Sequence, residues 1–168
     1  MKTFYLIVTM LLFLLAQASL APRITIGAVS PDFVFLIVAF FALYRGSIKG
    51  AVFGFLVGLL QDLGNPEMLG LNAGLKAMVG FVMGHAGTKT FPDNFVFLGG
   101  LFFTVAFGHD IVYLLLYKWP HVGDALIMTF SVALPAALYT AVLGVSADAV
   151  MTLFGAKVVR TFGKEGHP

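Results

Sequence analysis

Leu69–Gly87 reads LGLNAGLKAMVGFVMGHAG, a run of hydrocarbon and glycine with a single cation, Lys76, inside it. About 20 apolar residues span the roughly 30 Å of bilayer hydrocarbon as a helix, so this stretch reads as a membrane segment. An ionisable group at that depth costs a few kcal/mol or more unless it is paired, which makes Lys76 a functional candidate by default. Only Asp62, His109, Asp110 and Asp148 qualify to share its depth.

The rest of the chain agrees with a membrane setting. Of 168 residues, 60% are hydrophobic and 11% charged, and the mean hydropathy is +0.97. A soluble domain carries about 25% charged residues, so this chain lacks the charge to cover a water-facing surface. The sequence has no cysteine, which excludes disulfides, thiol catalysis and thiolate metal sites. The net charge of +2 is scattered along the chain and carries topology information, not a nucleic-acid footprint. Eighteen Phe and nineteen Gly suit close helix packing in lipid.

Hydropathy and breakers divide the chain into six expected spans within one integral membrane domain, residues 1–168. They are Phe4–Ala21, Pro31–Tyr44, Ile48–Gln61, Leu69–Gly87, Phe95–Tyr117 and Leu134–Phe154. The first resembles a signal peptide through Ser19-Leu20-Ala21, but Pro22 just after the cut is a poor peptidase context, so it is read as an uncleaved span. Ser30-Pro31-Asp32 is a helix start, with Ser30 expected as the N-cap, Pro31 at the first helical position and Asp32 favoured by the dipole. The second and third spans are short, at about 21–24 Å. A re-entrant hairpin would leave Arg45 and Lys49 deep in lipid, so two thin spans with a basic turn in water are preferred. Pro135 lies inside the long apolar stretch Ala125–Phe154, whose first part reads as interfacial. Tyr113, Tyr117 and Trp119 are placed as an aromatic belt.

Six spans put both termini on one side. That side carries Lys2, Arg45, Lys49, Lys89, Lys157, Arg160 and Lys164, against Arg23 and Lys118 on the other. The positive-inside rule then places both termini in the cytoplasm.

Gly50, Gly54 and Gly58 repeat every four residues, and Asp62 continues their stripe. Small residues at this spacing let two helices approach closely in lipid, either within the monomer or across a dimer. Asn72, Lys76, Gly80 and Gly84 repeat likewise. If the two stripes face each other, Lys76 snorkels toward Asp62 to form an ion pair, with Asn72 as an added hydrogen-bonding group. A structural staple, a ligand or proton pathway, and a partner-binding patch are all compatible with such a pair. Adjacent helical residues point about 100° apart, so His109 and Asp110 are not expected to address one site. No second histidine stands three or four residues from His109, and no nucleophile–base grouping, phosphate loop or paired-carboxylate motif occurs. Hence no catalytic residue, metal ligand or cofactor is expected.

Pro31-Asp32, the Gly50/Gly54/Gly58 run ending in Gln61-Asp62, Leu69-Gly70-Leu71-Asn72-Ala73, Lys76 and Gly80-Phe81 together resemble the MreD family of bacterial rod shape-determining membrane proteins. These residues span about a third of the chain, and no motif after Gly87 contributes. The resemblance implies a non-enzymatic subunit of the elongasome, which directs lateral-wall peptidoglycan synthesis. It implies MreC as partner, with MreB and the RodA synthase and its transpeptidase in a larger complex, a lipid surround and no nucleic acid. In helix layout the family is similar to the S components of energy-coupling-factor transporters, which makes a substrate-binding transporter subunit the alternative. The short outer loops argue against a dedicated vitamin binder.

Overall fold

The computed structural model of the protein describes residues 29–64, 68–89 and 95–153, together with Ser19, Arg23 and Thr25. The expected first span, Phe4–Ala21, and the tail from Lys157 to Pro168 lie outside the described residues. The described elements are helical: α1 (Phe33–Arg45), α2 (Ser47–Asp62), α3 (Leu71–Lys89), α4 (Phe95–Tyr117), α5 (Val122–Met128) and α6 (Leu134–Leu153). A short π-helical segment (Thr129–Ala133) joins the last two.

α1 is the centre of the bundle. Val34, Phe35, Leu36, Val38, Ala39, Ala42 and Leu43 are all buried, as expected of a helix that is apolar all round. It is flanked by α2 and α3 on one side and touches α6 on the other, while α4 packs on α6 and α3. Phe41 stacks on Phe53 of α2 at 4.1 Å, and Phe40 meets Phe102 of α4 at 5.2 Å. The core therefore runs continuously from α2 through α1 into α4 and α6.

The start of α1 differs from expectation. Asp32, not Ser30, is the N-cap, and its Oδ1 accepts the Phe35 N–H at 2.7 Å. Pro31 accordingly lies before the helix and is buried. A carboxylate caps as well as a hydroxyl and also meets the positive end of the helix dipole.

One residue, Gly46, separates α1 from α2. Its φ of 85° lies in the left-handed region, and its N–H returns to the Ala42 carbonyl at 2.8 Å. A side chain would be strained in that backbone. Gly70, at φ 94°, plays the same part just before α3.

The π-helical segment sits immediately ahead of Pro135. A proline has no N–H to give the carbonyl four residues back, and its ring crowds that carbonyl. Widening the turn accommodates this: Leu134 N–H bonds the Thr129 carbonyl, five residues back. The hydroxyls of Thr129 and Ser131 bond the Ala125 and Ile127 carbonyls, each at 2.8 Å.

Among the described residues, two helices are long and apolar enough to cross a membrane: Phe95–Tyr117 and the near-continuous Val122–Val150. α1 is as apolar but has only 13 residues, about 20 Å of helix.

Candidate functional site: a buried charged chain

The α2–α3 seam positions everything else. The two helices run antiparallel, and each four-residue step along α2 is matched by a four-residue step back along α3. Gly50 lies on the Gly80 backbone, Gly54 on Lys76, Gly58 on Asn72 and Ala73, and Gly84 on Gly46 and Ser47. A Cβ at Gly54 would overlap the Lys76 carbonyl oxygen, and one at Gly80 the Gly50 carbonyl oxygen. Gly87 extends the contact onto Leu43 of α1. Backbone meets backbone here, which only glycine allows.

This register rules out the expected Asp62–Lys76 pair. Lys76 stands opposite Gly54, eight residues before Asp62, so the two are displaced by about 12 Å along the helices. Each finds other partners. Asp62 is fully buried and closes the start of α3. Its Oδ2 accepts the N–H groups of Gly70 (2.9 Å) and Ala73 (3.0 Å). Its Oδ1 accepts Asn72 N–H (3.1 Å) and the Asn72 side-chain amide (2.9 Å). Four donors and the positive end of a helix dipole satisfy the carboxylate without a cation. Asn72 is thus brought to Asp62, and Lys76 is not.

Lys76 leaves the seam on the opposite side and is fully buried. Its Nζ donates to Asp32 Oδ2 at 2.8 Å and lies 3.3 Å from His109 Nε2. His109 Nδ1 in turn lies 2.9 Å from Asp110 Oδ1. The two neighbours on α4 therefore do share one site, contrary to the 100° expectation, because the imidazole and carboxylate bend toward each other beyond their Cβ atoms. The donor inventory orders the chain: an ammonium has only donors, so Nε2 accepts from Lys76 and Nδ1–H donates to Asp110. Phe35 packs edge-on against the imidazole at 6.1 Å, and Tyr113 stacks one turn further along α4 at 6.5 Å. The Asp32 N–H donates to Thr140 Oγ of α6 at 3.2 Å. The chain thus joins the start of α1 to α3, α4 and α6.

Asp32 and Thr140 are the members that sequence reasoning did not bring to the site. The signal that could have found Asp32 is topological: α1 and α3 both run antiparallel to α2, so the start of α1 and the first turns of α3 share a level. Asp110 and Asp148, expected as buried ionisable groups, are only half-buried. Among the described residues, no group of three or more His, Asp or Glu is arranged to hold a metal ion.

A helical bundle with, among its described residues, two helices of membrane-spanning length and an Asp–Lys–His–Asp chain whose two bases are buried falls in the class of membrane-type bundles organised around internal charge. The profile of the family described as "rod shape-determining protein MreD" matches residues 1–158, so the chain belongs to the MreD family. A role in rod shape determination follows from that membership, and the apolar helices agree with a membrane-protein family. Comparison with curated proteins and with solved structures gives no match.

Proposed function

We propose that the protein is a non-enzymatic integral membrane scaffold of the rod complex, taking part in lateral peptidoglycan synthesis. Its direct partner is MreC, with MreB and a RodA-type synthase and its transpeptidase in the larger assembly. It spans the bacterial inner membrane six times with both termini in the cytoplasm, in a layout like that of transporter S components. The observation that carries this reading is the family match over nearly the whole chain. The seven-to-two bias of basic residues supports the orientation. The glycine seam and the charged chain support a packed body whose polar groups hold helices together.

Co-purification in mild detergent followed by mass spectrometry tests the partners. Recovery of MreC or a wall synthase is expected, and recovery of an ATPase module in their place would overturn the scaffold. Reporter fusions test the topology. Those after Lys49, Lys89 and Lys164 should read cytoplasmic, and one after Lys118 periplasmic. A periplasmic signal after Lys89 would remove the six-span arrangement.

A further inference from the structure

The charged chain is one proton short of neutrality. Lys76 Nζ and His109 Nε2 are 3.3 Å apart, so one of the two nitrogens must accept a hydrogen from the other. With Lys76 as ammonium, His109 is neutral; with His109 as imidazolium, Lys76 is the amine. Either way one positive charge faces two carboxylates, Asp32 and Asp110. A second positive charge would balance the sum but would set two cationic donors against each other. Balancing the charge on the two bases and keeping the observed contact are therefore mutually exclusive.

We propose that the Asp32–Lys76–His109–Asp110 cluster is a proton-binding site whose occupation separates Lys76 from His109 and loosens α1–α3 from α4–α6. The step balances without a co-reactant. Lys76 passes a proton along the existing contact to His109 Nε2, and the amine left behind is reprotonated from water by way of Asp32. The net change is uptake of one proton. Exposure fits this route: the side chains of Lys76 and His109 are 1% and 6% exposed, whereas those of Asp32 and Asp110 are 26% and 28%. The carboxylates are the outer members of the chain and the two bases the inner ones.

Histidine is the side chain that ordinarily changes charge between about pH 5 and 8. Among the described residues, the charged and titratable groups facing His109 are Lys76 of α3, Asp32 at the start of α1, and Asp110 and Tyr113 of its own helix, with the charge of Asp62 of α2 reaching Tyr113. α6 reaches the cluster through the neutral hydroxyl of Thr140. Of the other acids on elements packed against α4, Asp124 of α5 is exposed, and Asp148 of α6 lies eight residues, about 12 Å, beyond Thr140. The inference does not depend on which partner the protein takes.

The absence of cysteine lets the test use the whole chain. Spin labels at Met78→Cys of α3 and Val112→Cys of α4, both exposed positions, report the separation of the two halves in lipid nanodiscs. The inter-label distance is expected to differ between about pH 8 and about pH 5. His109→Gln, whose amide still accepts from Lys76 and donates to Asp110 but takes no proton, should hold the high-pH distance at both. The ring nitrogens of His109, followed by 15N NMR, should show one added proton over the same range. An unchanged distance in the otherwise native protein, an equal shift in His109→Gln, or a His109 ring that does not titrate would each overturn the proposal. So would a shift that follows sodium concentration at constant pH.

Discussion

Two junctions hold this molecule together by opposite means. The α2–α3 seam is made of backbone, with Gly50, Gly54, Gly58, Gly80 and Gly84 all buried against main-chain atoms across the seam. The junction between α1–α3 and α4–α6 is made in part of charge, through Asp32, Lys76, His109 and Asp110. Lipid gives helices no hydrophobic reason to associate, so close packing and buried hydrogen bonds are the available forces. Packing tolerates no added atom, whereas a charged link tolerates rearrangement if its protons are redistributed. One junction is thus a fixed register, and the other is adjustable.

The sharpest way to break the comparison is at Gly54. Gly54→Leu places a side chain into the Lys76 backbone and should abolish accumulation of folded protein, measured by fluorescence-detected size exclusion. Gly108→Leu on α4, where a Cβ meets no neighbouring atom among the described residues, should accumulate normally. Equal behaviour of the two would mean that the seam is not packed as described.

Lys76→Met comes next. It strands the Asp32 carboxylate and leaves His109 Nε2 without its donor, at a cost of about 3–5 kcal/mol for a broken buried pair. Asp32→Asn should cost less, because asparagine still caps α1. Combining them should recover much of the thermal stability in detergent. No recovery in the double variant would show that the two residues are not energetically coupled.

A smaller effect is expected at Asp62. Asp62→Asn turns one acceptor into a donor facing the Gly70 and Ala73 N–H groups, with a loss of about 1–3 kcal/mol. With no shared partner, its effect should add to that of Lys76→Met within about 0.5 kcal/mol. Strong coupling between those two would restore the direct pair that the register excludes. Smallest of all, Phe55→Leu on the exposed face of α2 should lie within about 0.5 kcal/mol of the native protein.

Much of this was legible along the chain. The four-residue spacing of Gly50, Gly54 and Gly58 pointed to a close helix contact because that spacing recurs on one helix face whatever lies opposite. Lys76 stood out because a cation in an apolar run is costly in any fold. The identity of its partner was not legible. Asp32 had an adequate local explanation as a helix-start residue, and nothing local says that a cap also serves a lysine 44 positions away. Asp62 misled for the converse reason: it continues the glycine stripe, yet its four donors come from the turn of chain that follows it.

By itself the sequence determined the membrane-type composition, the helical class, the breaks at Gly46 and before α3, and the small-residue faces. Each follows from composition or from residues within a turn or two of one another. Tertiary structure alone decided which buried charges meet. That choice depends on the antiparallel register of α2 against α3, and a register is set by many backbone contacts at once. It places Gly54 opposite Lys76, turns the lysine away from Asp62, and delivers its ammonium to the start of α1 and the imidazole of α4.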